Sequence, residues 1–302
     1  MIDPPLDALV LGTAPVLGAL VGSFLNVCIY RLPREELSIV LPPSHCPRCG
    51  TTLAAWQNVP VVSWLLLAGK CHSCRSRISP MYPAIELLTA ALFGLLAWAF
   101  VRGDLAFGPL AASDAGLAER LGVLVVGFWL TGSLLVATFV DLKFRIIPDE
   151  VTELAVFPAI LASGLVPALH LPLPLDVFRD RHLAGLASGA FGAIVGGGSI
   201  HAVGIFGKRL LKKEAMGFGD VKLMAFLGAV LGWQGALLTF FVACVVGAVI
   251  GIFVKLLTGD RYTPFGPYLA VGAAASFLAR DRILAFVLEE LPARLFAGSP
   301  PY

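Results

Sequence analysis

The sequence predicts an all-α, polytopic membrane protein, and three observations carry that prediction. Of 302 residues, 58% are hydrophobic and only 14% charged, with a mean hydropathy of +0.86, whereas a soluble domain carries about 25% charged residues. The apolar residues gather in about eight runs of roughly the 20-residue length that a membrane-crossing helix needs. Glycines recur four residues apart at Gly18/Gly22, Gly185/Gly189, Gly192/Gly196 and Gly247/Gly251, the spacing that lets membrane helices approach closely. These figures exclude a soluble α/β enzyme, a coiled coil and a disordered chain. A formal net charge of +2 gives no footing for nucleic-acid binding, so the expected surroundings are a lipid bilayer.

The runs lie near 9–30, 84–101, 121–140, 151–169, 183–206, 221–234, 236–257 and 264–279. No basic residue precedes the first, while Arg31 and Arg34 follow it. That is the reverse of a secretory signal, so the first run reads as a retained span. The sixth is short and bounded by Gly and Trp, which suits a partial or tilted helix. Residues 280–302 begin too polar to span and read as an interfacial C-terminal segment. The domain reading is therefore a first transmembrane helix (1–30), a polar insertion (31–83), a transmembrane core (84–279) and that C-terminal segment.

By parity, the loops after spans one, three, five and seven share one side of the membrane. They hold fourteen of the 22 basic residues, against seven on the other side and Lys222 inside the sixth run. Basic loops resist translocation, so the richer side is expected to be cytoplasmic, with both termini outside.

The insertion at 31–83 contains Cys46-Pro-Arg-Cys49 and Cys71-His-Ser-Cys74. Two C-x2-C knuckles separated by 21 residues match a tetrahedral four-thiolate zinc site, each knuckle supplying two sulfurs. A polar loop of this size lacks a core of its own, and metal binding would supply its folding energy. A pair of redox dithiols is the competing reading, opposed by the cytoplasmic placement. His45 and His72 adjoin ligand cysteines and are candidate replacements for one of them. Cys28 and Cys244 fall inside spans, as small apolar fillers.

Acidic residues at span ends give a second signal. Asp141 closes the third span, followed by Ile147-Pro148-Asp149, and Asp220 opens the sixth in Gly217-Phe218-Gly219-Asp220-Val221-Lys222. Two spans separate them, so both meet the same boundary. Singly, Asp220 reads as an N-cap and Asp141 as an interfacial acid. Carboxylates at a membrane are costly and tend to be functional, and as a pair they suit aspartic-protease chemistry. One member takes a proton from water while the other, protonated, hydrogen-bonds the scissile carbonyl. Gly217 and Gly219 allow a turn tight enough to bring Asp220 against its partner. Asp149, the rival for Asp141, reads as a structural cap of the fourth span.

Gly217-Phe218-Gly219-Asp220-Val221-Lys222-Leu223, Asp141 with Ile147-Pro148-Asp149, the opening Gly22-Ser23-Phe24-Leu25-Asn26-Val27-Cys28-Ile29-Tyr30-Arg31-Leu32-Pro33, and Asn58-Val59-Pro60 with Ser63-Trp64-Leu65 together resemble the type IV prepilin leader peptidases. These are GxGD membrane aspartic proteases that also N-methylate their product. The resemblance runs from about residue 12 to 275 in the family's order. It implies an enzyme of the bacterial cytoplasmic membrane that removes the leader of prepilins and pseudopilins, cutting after Gly. It then methylates the new amino terminus with S-adenosylmethionine. Asp141 and Asp220 fall on the family's catalytic positions, and Cys46, Cys49, Cys71 and Cys74 on its zinc positions. Gly69, Lys70 and Glu86 match positions linked to the methyl donor; a hairpin turn with a surface lysine equally explains the first two.

Pro264-Phe265-Gly266, opening the eighth run, is expected to border the dyad as the corresponding family segment does, and Pro there also suits a helix start. The family's leader is basic, so the basic loops would repel it unless Glu35, Glu36 and Glu214 offset them. A Pro-rich loop at 167–174 and an extended C-terminus depart from the family pattern. Two other classes compete. An ion- or proton-coupled transporter would use the two aspartates with a zinc-stabilised loop, but no acidic residue lies in the outer halves of the spans. A thiol oxidoreductase would cycle the C-x2-C pairs.

Overall fold

The computed structural model describes residues 4–34, 38–103, 116–170, 178–212, 216–258, 264–286 and 290. Glu35, Glu36 and Glu214, part of the loop at 167–174 and most of 280–302 lie outside them. Eight α-helices lie in these residues: α1 (Pro4–Arg31), α2 (Val62–Leu66), α3 (Met81–Arg102), α4 (Leu117–Phe144), α5 (Glu153–Leu165), α6 (Arg181–Leu211), α7 (Phe218–Thr258) and α8 (Gly266–Ala285). No strand accompanies them among the described residues, only two isolated bridges.

The helix ends follow local chemistry. α3 stops at Gly103, whose left-handed φ of 75° turns its N–H back onto the Ala99 and Phe100 carbonyls. α6 starts at Asp180, whose carboxylate accepts the His182 and Leu183 amides. α4 ends at Arg145, also left-handed, with its N–H on the Asp141 carbonyl.

α1, α3, α4, α6 and α7 are long and apolar enough to cross a membrane. The eight expected runs exceed these five by α5, α8 and the second leg of α7. α4 is the central helix, with 67% of its most apolar stretch buried, against 22% for α1 and 17% for α7. The apolar residues left bare, such as Leu9, Val16, Leu20 and Phe24 of α1 and Phe253, Leu256 and Leu257 of α7, are those a bilayer would cover.

Small residues set the close approaches. A Cβ added to Gly22 would lie 2.8 Å from the Glu86 Cα, and one added to Gly18 would lie 2.7 Å from the Thr89 carbonyl, so α1 rests directly on the α3 backbone. Gly192 of α6 and Gly228 of α7 face each other's carbonyls in the same manner.

α7 is two helices in one. At Gly232 the backbone turns to φ 73°, ψ 175°. Gly247 in the second leg packs on Tyr268, two residues from Gly266, whose amide binds Asp141, and Asp141 in turn acts electrostatically on Asp220 in the first leg. Both ends of α7 therefore lie toward the same end of the bundle, and the chain reverses at Gly232, within the sixth expected run and close to its boundary with the seventh. Carbonyls freed by such a break need donors: the Arg280 Nη1 reaches the Leu231 carbonyl at 2.9 Å and the Ser276 hydroxyl the Gly235 carbonyl at 3.0 Å.

Candidate functional site

Three loops converge where α4 ends. Asp141 lies on the last turn of α4, is buried, and its Oδ2 accepts the Gly266 N–H at 2.9 Å. That amide belongs to the first residue of α8, where Pro267 fills the next position and needs no partner for a missing N–H. Gly266 is required by contact, since an added Cβ would sit 2.6 Å from Oδ2 of Asp141.

Asp220 stands in the first turn of α7, after the Gly217-Phe218-Gly219 turn, with its own N–H on the Gly217 carbonyl at 3.2 Å. It is the third residue of the helix rather than its N-cap, and its carboxylate accepts the backbone amide of Gly217, just ahead of the helix. Gly217 lies beneath that carboxylate, and Gly219 packs on Ile147 from the segment after α4. The two aspartates are close enough for the charge of one to act on the other. Phe265 packs edge to face on Tyr268 beside them, at 6.2 Å between ring centres.

Asp149 does not cap a helix through its side chain. It lies in a 3-10 turn, Asp149–Val151, without a side-chain cap, and its Oδ1 instead takes the Lys222 ammonium at 3.0 Å, with Glu153 holding the same lysine at 2.5 Å. This clamp ties the start of α5 to the turn that follows Asp220. Lys222 stands out in the sequence as a lysine inside an otherwise apolar run, but nothing there pairs it with Asp149 or Glu153.

The second centre is the insertion between α1 and α3. The four sulfurs of Cys46, Cys49, Cys71 and Cys74 lie within 4.8 Å of one another and none is in a disulfide. Cys46 and Cys74 are 3.9 Å apart, while a tetrahedral zinc at about 2.3 Å from each sulfur spaces them by about 3.8 Å. The two knuckles are built alike. Cys46 N–H bonds the Thr51 carbonyl and Gly50 N–H the Cys46 carbonyl; Cys71 N–H bonds the Ser76 carbonyl and Arg75 N–H the Cys71 carbonyl. Gly50 and Arg75 occupy equivalent left-handed positions, φ 71° and 57°.

The Cys49 backbone amide pulls the Cys46 thiol down to about 6 against the opposing effect of burial, and the Ser76 hydroxyl lowers Cys74. Both favour the thiolate that a metal requires. His45 and His72 stay out of the cluster: one turns its Nδ1 to the Pro43 carbonyl at 3.0 Å, the other packs on Trp56. Arg31, buried at the end of α1, anchors the insertion by donating to the Ser38 and Pro42 carbonyls, each at 2.7 Å.

Gly69, Lys70 and Glu86 are not one cluster in the described contacts. Gly69, at φ 66°, turns the hairpin above the second knuckle with the Trp64 ring against it, and exposed Lys70 continues that hairpin opposite Arg77. Glu86, on the face of α3 that packs against α1, is 8% exposed. Its Oε2 accepts the Val61 N–H at 2.7 Å and the Ser23 hydroxyl bonds the same carboxylate.

The sequence pattern of the type IV leader peptidase family matches residues 128–252, and that of the bacterial peptidase A24 N-terminal domain matches residues 16–100. A prepilin leader peptidase/N-methyltransferase of Stutzerimonas stutzeri is 36% identical over 301 residues, covering 91% of this chain and 93% of its own. The chain belongs to the type IV leader peptidase family. Proteins of the same name from Pseudomonas aeruginosa, 37% identical over 89% of this chain and 90% of theirs, and Neisseria gonorrhoeae, 36% over 89% and 91%, agree. No solved structure matches the chain at comparable significance. Family membership makes the protein a two-activity enzyme, peptidase and N-methyltransferase, and gives the transporter reading no support. The A24 N-terminal match contains the cysteine cluster and Glu86; the peptidase match contains Asp141 and Asp220.

Proposed function

We propose that Asp141 and Asp220 are the catalytic dyad of a peptidase that removes the leader from type IV prepilins and pseudopilins. The carrying observation is the convergence of Asp141, held by the Gly266 amide, with Asp220 on its glycine turn at one end of the bundle. In the reaction, the ionised carboxylate takes a proton from water, whose oxygen attacks the scissile carbonyl while the protonated partner donates to the carbonyl oxygen. Collapse of the tetrahedral species returns the proton to the leaving nitrogen. Gly217, Gly219, Pro264, Phe265 and Gly266 line the approach, where small residues let an extended substrate strand lie against the backbone.

Cys46, Cys49, Cys71 and Cys74 hold a structural zinc, which crosslinks the two knuckles. S-adenosylmethionine supplies the methyl group for the second activity, on the side of the molecule bearing Gly69, Lys70 and Glu86. The fourteen-to-seven distribution of basic residues supports an active site and zinc module on the cytoplasmic face of the bacterial inner membrane, with both termini outside.

Asp141→Asn and Asp220→Asn, each assayed in membranes on a full-length prepilin, should lower cleavage by at least about 10²–10⁴-fold, the range general acid–base groups contribute. Cleavage by either variant at the wild-type rate would refute the dyad.

A further inference from the structure

N-methylation after leader removal sets a chemical requirement. The new amino terminus is an ammonium ion near neutral pH, with a pKa of about 7.7–8.0, and only the neutral amine has a lone pair to alkylate. A group near the amine must hold the cation and take its proton.

Among the described residues of the A24 N-terminal match, Glu86 is the one acidic side chain. His45 and His72 flank metal-site cysteines and are engaged elsewhere. Glu86 is also built into its place. Gly22 brings α1 against its Cα, Ser23 and the Val61 amide engage its carboxylate, and Asn26 one turn further along α1 holds the Tyr82 carbonyl at 3.0 Å. Val61, a β-branched residue, is held at φ 62°, a strained conformation sustained where the surroundings over-determine it. Two hydrogen bonds to the carboxylate are described, against the roughly four acceptor sites an ionised carboxylate has.

Placement matters as much as chemistry. Ile85, the neighbour of Glu86, shares one apolar cluster with Leu135, Val136 and Val140 of α4, and Val140 precedes Asp141. Glu86 therefore lies on the element packed against the end of α4 that carries the peptidase carboxylate.

We propose that Glu86 binds the freshly exposed N-terminal ammonium of the cleaved substrate and acts as the base of the methyl transfer. The carboxylate accepts one proton from the ammonium. The amine nitrogen then attacks the methyl carbon of a sulfonium donor, forming N–C as C–S breaks with its electron pair going to sulfur, and Glu86 passes its proton to water. This inference rests on the reading of the N-terminal region as the methyl-transfer side.

The test is Glu86→Gln in the full-length protein. Glutamine keeps an oxygen to accept the Val61 N–H, so the loop stays tied while the base is lost. Leader cleavage should persist, and methylation near neutral pH should fall by about 10²-fold or more, recovering as pH rises through the amine's own pKa. Glu86→Asp should restore part of the rate. Without any methyl donor, wild-type protein should bind a mature-sequence peptide with a free amino terminus more tightly than its N-acetylated form, and Glu86→Gln should lose that difference. Three results would overturn the proposal: methylation by Glu86→Gln within about threefold of wild type with an unchanged pH profile; loss of cleavage together with methylation; or loss of donor affinity with peptide preference intact, which would turn Glu86 toward the sulfonium. Absence of methylation by the wild-type protein would instead strike the assignment of the second activity.

Discussion

Gly266 is where a single methyl group should cost the peptidase most. Its amide holds one oxygen of Asp141, and a Cβ would be 2.6 Å from that oxygen, so Gly266→Ala must displace the carboxylate, the α8 start, or both. A misplacement of about 1 Å at a reacting group can cost on the order of 10²-fold. Gly266→Ala should therefore lower kcat for leader cleavage by about tenfold or more while the cysteine cluster keeps its metal; unchanged kcat would show that the contact relaxes harmlessly. The two aspartates were legible in the sequence because a charge at the end of an apolar run is conspicuous. Their neighbours were legible less evenly. Pro264-Phe265-Gly266 could be placed beside the dyad only by resemblance, since nothing in its composition says that one amide is aimed at a residue 125 positions earlier. The pairing of Lys222 with Asp149 and Glu153 is not legible in the sequence, because charge partners on different elements leave no periodic trace.

At the scale of the element, the cysteine insertion is the most self-contained part of the chain. Its regular structure amounts to two matched knuckles, two single bridges, a 3-10 turn at Ala55–Asn58 and a one-turn helix, and few of its side chains are buried. Such a segment depends on its crosslinks. The purified protein should carry one zinc per chain, and stripping it with a chelator should make the segment 38–80 sensitive to protease before the helices are cut. A chelated protein whose insertion resists proteolysis as well as the metal-loaded form would refute a folding role for the metal. The knuckle spacing made this element readable in advance, as spacing is what a tetrahedral ion constrains. Gly69 shows the converse. Its left-handed turn and its contact with the Trp64 ring account for a glycine that sequence alone could also assign to a cofactor. The break in α7 lies a few residues before the boundary expected between 234 and 236, since apolar composition runs almost unbroken through it; what divides the helix is one backbone conformation at Gly232.

For the molecule as a whole, α5 carries a consequence of its own. Its α-helical part is 13 residues long, roughly 20 Å at 1.5 Å per residue, with only single 3-10 turns at Asp149–Val151 and Pro167–Leu169 to either side, while the hydrocarbon layer is about 30 Å thick. Its first residue, Glu153, is joined through Lys222 to Asp149, and Lys222 stands two residues from Asp220. A bilayer meeting so short a helix thins locally, and thinning on this flank would bring the water boundary inward to the carboxylates. Hydrolysis consumes a water for every leader removed, so the hypothesis is that α5 serves as the inlet for that reagent. In vesicles whose acyl chains are progressively lengthened, cleavage should decline with chain length while methylation of an already cleaved substrate changes less; equal rates in thin and thick bilayers would sink the idea. On this view the shortest helix of the core is what lets a lipid-embedded enzyme reach its second substrate, water.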